Sequence, residues 1–66
     1  MTRQEKLAWL NRDMGIPVNI IAKFCRCHCS SIRKYIEGSE PTPRICGLID
    51  EGIQQLLLDI KEVLER

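Results

Sequence analysis

Apolar residues recur at helical spacing along almost the whole chain, and turn-forming residues cut the pattern into segments. Thr2 followed by Glu5 has the spacing of a capping box, in which each side chain satisfies a backbone donor of the other. It predicts a helix start. Leu7, Leu10 and Met14 then share one face, Trp9 lies off that stripe as a packing residue, and Gly15 supplies a left-handed stop. Pro17 suits the first turn of a second helix. There Val18, Ile21, Ala22 and Cys25 repeat at i, i+3, i+4 and i+7, while Ile20 and Phe24 widen the face and leave Asn19, Lys23 and Arg26 to water. Residues 30 to 37 read as a third helix ended by Gly38. Its inward residues are Ile32, Tyr35 and Ile36, and its outward residues are Ser30, Arg33, Lys34 and Glu37.

Residues 39 to 43 contain Pro41 and Pro43 and predict a rigid loop, with Thr42 and Pro43 forming the N-cap and first turn of a further helix. Beyond Cys46, the residues Ile49, Ile53, Leu56, Ile60 and Val63 alternate in spacing as coiled-coil a and d positions do, and Leu57 and Leu64 extend the seam on one side. An unbroken helix over 43–65 would be roughly 35 Å long, more than a small globule covers. The seam Ile49, Ile53, Leu56, Leu57, Ile60, Val63 and Leu64 is therefore expected to pair two chains into a homodimer, with Glu51, Asp59, Glu62 and Glu65 wet. The competing arrangement folds the segment back at Gly47 or Gly52 and completes a monomeric bundle.

The 66 residues make one domain, 1–66, of all-α class: a bundle of four to five helices with a C-terminal dimerisation segment over 43–65. A chain this short usually needs a metal, a disulfide or a partner subunit to supplement its core. No apolar run approaches the ~20 residues of a membrane span, and Arg3, Glu5 and Lys6 interrupt any signal-peptide core at the N-terminus, so a cytoplasmic protein is expected. Net charge is only +1, but it is unevenly distributed. Residues 1–44 carry Arg3, Lys6, Arg12, Lys23, Arg26, Arg33, Lys34 and Arg44 against Glu5, Asp13, Glu37 and Glu40, a net +4. Residues 45–66 carry Lys61 and Arg66 against Asp50, Glu51, Asp59, Glu62 and Glu65, a net −3. That polarity suits a phosphate-facing half and an outward or partner-facing half.

Two short helices joined by about four residues, with Ala22 in the first and Ile32 in the second, form the pattern of a helix-turn-helix over 18–37. A small residue at position 22 lets the helices cross closely, while Ile21, Cys25, Cys27, Ile32 and Tyr35 fill the space beneath them. Residues 16–44, IPVNIIAKFCRCHCSSIRKYIEGSEPTPR, resemble the DNA-binding core of the Cro and phage-repressor helix-turn-helix family. The resemblance implies an all-α bundle of about five helices, often dimeric, acting on operators of bacteria, phages and mobile elements. Arg26 departs from the pattern, because the family prefers glycine at that left-handed turn position.

The resemblance also implies that the second helix of the pair enters the major groove of double-stranded DNA, with His28, Cys29, Ser30, Arg33 and Lys34 towards the bases. Arg33 is the candidate for a bidentate contact with guanine. Ser31 and Lys34 are also candidates for phosphate contacts, and the helix start around Val18 and Asn19 offers a phosphate seat.

Cys25, Cys27, His28, Cys29 and Cys46 include enough ligand types for zinc, but their spacing lacks the paired motif of structural sites, so no metal or other cofactor is expected. Cys25 and Cys27 read as core residues. No nucleophile and base pairing and no glycine-rich phosphate loop can be found, so the chain is not expected to be an enzyme. The low total charge leaves a second reading open. In it the helix-turn-helix is a scaffold for protein interaction, such as a phage anti-defence inhibitor acting on an RNA-guided complex.

Overall fold

The computed structural model describes residues 1–65. Helix α1 (Arg3–Ala8) opens on the full capping box: the Glu5 amide donates to Thr2 Oγ1 at 3.1 Å, and the Thr2 amide donates to Glu5 Oε1 at 3.3 Å. It runs directly into a π-helical turn, Trp9–Asp13, in which the Met14 amide donates to the Trp9 carbonyl. This widened turn places Leu10 beside Leu7 in the core but turns Met14 away, so Met14 is exposed rather than on the shared face. Gly15 then ends the segment at φ +71°, and Asn11 Nδ2 donates to the Ile16 carbonyl at 2.9 Å.

Helix α2 (Val18–Cys25) starts one residue after Pro17, and helix α3 (Cys29–Glu37) starts one residue earlier than its polarity predicts. Gly38, at φ +123°, closes α3, and the Ser39 amide donates back to Lys34. Helix α4 (Pro43–Leu64) is a single uninterrupted helix with Pro43 in its first turn. Neither Gly47 nor Gly52 divides it, so it is not folded back on itself.

The reason for Gly52 is packing rather than chain direction. It is buried against α2, and a Cβ there would lie 2.7 Å from both Cα and Sγ of Cys25 and 2.8 Å from its nitrogen. Glycine thus lets α2 and α4 approach backbone to backbone, offsetting the ~1 kcal/mol that a mid-helix glycine costs. Gly47 meets nothing. Across the same interface Cys25 Sγ points its donor at the Ile49 carbonyl, 3.8 Å away.

The core comprises Leu7 and Leu10, then Ile21, Ala22 and Cys25, then Ile32 and Ile36, and finally Ile49, Ile53 and Leu56. This corrects the seam expected to join two chains: Ile49, Ile53 and Leu56 are buried within their own chain, where α4 packs against α1 and α2. Leu57, Val63 and Leu64 remain exposed, and Ile60 is half-buried. Glu51, Glu62 and Glu65 are exposed, whereas Asp59 is half-buried and accepts from Gln55 Nε2 at 3.0 Å.

A contact between distant parts of the chain pins α1 to α4. Arg3 donates through Nε and Nη2 to the two carboxylate oxygens of Asp50, both at 2.8 Å. No described helix is long and apolar enough to cross a membrane.

Candidate nucleic-acid interface

The local chemistry between α2 and α3 fixes how the second helix leaves the first. Arg26 sits in the left-handed region at φ +56° and ψ +36°, where the amides of Arg26 and Cys27 both donate back to Ala22. This is the glycine-type helix ending carried by a side chain that pays a steric cost of roughly 1–2 kcal/mol for it. The half-buried Cys27 thiol donates to the Cys25 carbonyl at 3.2 Å and faces inward rather than into solvent. Burial raises its ionisation above the ordinary thiol range, and burial likewise pushes Cys25 up to about 11. Both thiols are protonated at neutral pH.

His28 serves as the N-cap of α3. Its Nδ1 accepts the Ser30 amide at 3.2 Å and lies 2.8 Å from the Ser30 hydroxyl, so this nitrogen is the unprotonated acceptor and Nε2 carries the hydrogen. His28 is exposed, but its Nδ1 edge is committed to the helix end, leaving only Nε2 to face outward. The sequence places His28 among the base-facing residues and misses this capping role. Histidine lies outside the usual Ser, Thr, Asp and Asn set, which is why the start of α3 is read one residue late.

Along α3, Ser30, Arg33, Lys34 and Glu37 are exposed on one face, while Ile32 and Ile36 are buried on the other. Cys29 and Ser31 are half-buried at the flanks, and Cys29 packs against the core, so it is less available as a base reader than the pattern alone implies. Asn19 is exposed in the first turn of α2, with Val18 half-buried beside it. Neither Arg33 nor Lys34 takes part in an ion pair or side-chain hydrogen bond among the described residues, although Glu37 lies one turn away. Both side chains are free to meet an external anion.

Two contacts hold α3 from behind. Gln4 Nε2 of α1 donates to the Ile36 carbonyl at 3.3 Å, and the buried isoleucines lock the helix against the core. Among the described residues no group of three or more His, Cys, Asp or Glu side chains converges as metal ligands would.

Fold and site define a small all-α chain in which α2 and α3 are joined by a short left-handed turn and α3 presents a polar face carrying Arg33 and Lys34. Comparison with protein-family models, with curated proteins and with solved structures finds no match to the chain.

Proposed function

We propose that the chain is a sequence-specific double-stranded DNA-binding protein that reads bases with α3. It acts as a transcriptional regulator of the repressor or autoregulator kind found in phages and mobile elements. The observation that carries this reading is the face formed by Ser30, Arg33 and Lys34, whose cations are exposed and unpaired on a helix held from behind. Arg33 supplies a planar fork for the two acceptors of guanine, Lys34 and Ser31 supply phosphate contacts, and the start of α2 at Asn19 seats a further phosphate.

Selection of bound sequences from a randomised duplex pool tests the reading. A recovered consensus, together with an affinity that falls steeply with salt, supports it. A second reading is favoured by Glu37 on the same face and by the total charge of +1. There the helix-turn-helix face is a docking surface for a protein. Absence of any salt-dependent affinity for duplex DNA selects that reading and removes the first.

A further inference from the structure

The C-terminal end of α3, the first residues of α1, the loop over 39–42 and the start of α4 border a cleft of 330 Å³ that opens to solvent. Leu7, which is fully buried, and the half-buried Tyr35 and Cys46 supply its apolar lining. Its charged groups are of both signs, and neither is fully used. On the α1 side, Arg3 spends Nε and Nη2 on Asp50 and leaves Nη1 without a partner among the described residues. On the loop side, Glu40 is exposed, and its carboxylate has no ion pair or hydrogen bond among the described residues. Helix α3 also ends here at Gly38, which brings the negative end of its dipole to the same side as Glu40.

We propose that this cleft binds a small zwitterion of the free α-amino acid class, with its carboxylate on Arg3, its ammonium group on Glu40 and its side chain against Tyr35 and Leu7. The two charges decide the class. A simple anion meets a guanidinium already paired with Asp50 and is repelled by Glu40, whereas a simple cation meets Glu40 and is repelled by Arg3. A molecule that carries both charges is attracted at each end. Arg3 has room for a second carboxylate, because a guanidinium has five N–H donors and Asp50 is reached through only two of its nitrogens. Size follows from the volume, which lies at the lower end of the roughly 300–1,000 Å³ of small-molecule pockets and suits a single amino acid rather than a peptide.

Exposure sets the strength. The cleft is open to water, so each ion pair contributes little alone and is screened by salt. With only the few atoms of one amino acid in contact, the dissociation constant lies between roughly 0.1 and 10 mM. Cys46 reports occupancy, since its thiol stands in the cleft wall and is held only by a long contact of 3.6 Å to the Pro41 carbonyl.

Titration of the whole chain with each of the common α-amino acids up to about 20 mM, followed by backbone amide chemical shifts, tests the site. At least one amino acid should give saturable shifts at Gln4, Tyr35, Gly38 and Ser39, and should slow alkylation of Cys46 by iodoacetamide but not that of Cys29, which lies outside the cleft. The N-acetyl and amide derivatives of that amino acid each lack one charge, and both should bind at least about threefold more weakly. Glu40→Gln, at an exposed loop position outside the core, should keep the helical circular dichroism. It should weaken the amino acid and its amide by about threefold and leave the N-acetyl derivative unaffected. No saturable shift with any amino acid overturns the proposal, as do shifts confined to residues outside the cleft, equal binding of either derivative, or a Glu40→Gln variant that binds the amino acid as the parent does. The titration contains no DNA, so its failure is distinct from failure of the DNA reading.

Discussion

Replacing Gly52 by alanine is expected to destabilise the fold even though alanine is the better helix former. In an unpacked helix interior the change gains up to ~1 kcal/mol of propensity. Here the new methyl carbon meets Cys25 Cα and Sγ at 2.7 Å and its nitrogen at 2.8 Å. Two of those three atoms are backbone, so no rotamer relieves the clash. Carbon contacts relax to 3.5–4.0 Å, so α2 must retreat by about 0.8 Å or more, and a gap of that order forfeits a quarter to a half of each contact's attraction along the interface. That interface is the most extensively packed in the molecule and includes Ile21, Cys25, Ile49 and Leu56. Overpacking of this kind costs about 1–3 kcal/mol, which exceeds the propensity gain and is a large part of what so small a core supplies. Gly47→Ala is the control, since a methyl group there meets nothing within 4 Å and should keep the full gain. Urea unfolding followed by circular dichroism should move the two midpoints in opposite directions, with a thermal midpoint change of about 4–8 °C per kcal/mol. If Gly52→Ala is stabilised as much as Gly47→Ala, the close approach of α2 and α4 is wrong.

Three further outcomes follow from the site and its supports. Arg33→Ala should weaken binding to a selected duplex by about 1–3 kcal/mol and relax preference at one base position; an equal loss on every sequence would make Arg33 a phosphate contact instead. His28→Ala should cost about 0.5–2 kcal/mol of stability by leaving the Ser30 amide without its acceptor, and His28→Asn should restore most of it, so equal loss in both variants would refute the capping role. The hydrogen bond from Arg3 holds the Asp50 carboxyl below the ordinary carboxylate range. A depressed folded-state value contributes stability above the unfolded value that is lost as pH falls through it, below about pH 4. Asp50→Asn should therefore flatten part of the acid limb of a stability profile. The effect should be modest and smaller still in high salt, because the pair is exposed, and an unchanged profile would show that the pair contributes nothing.

What the sequence reveals here is what depends on neighbours within a turn or two. The capping box at Thr2 and Glu5, the stop at Gly38, the Pro43 start and the division of α3 into an Ile32 and Ile36 face and a Ser30, Arg33 and Lys34 face are all of this kind. The left-handed turn is another. Arg26 adopts it without glycine because two amides of the turn donate to Ala22 and the helices on either side are locked by burial, so the site's geometry is over-determined and tolerates the strained residue.

The features that stay hidden depend on residues far apart in the chain. Arg3 and Asp50 are 47 positions apart, and Gly52 reads as a break because nothing local shows that Cys25 will lie against it. The period of the α4 stripe is plain in the sequence, yet periodicity states only which residues share a line and not how much of that line other helices cover. Two elements, α1 and α2, pack against α4 and bury its first half, so one uniform pattern meets two environments: Ile49 to Leu56 complete the core, and Leu57 to Leu64 extend the same apolar line beyond it. A polar substitution at Ile49, Ile53 or Leu56 should therefore unfold the chain, whereas one at Val63 or Leu64 should leave its helical content and stability nearly unchanged, and equal losses at both ends in urea unfolding would refute this division.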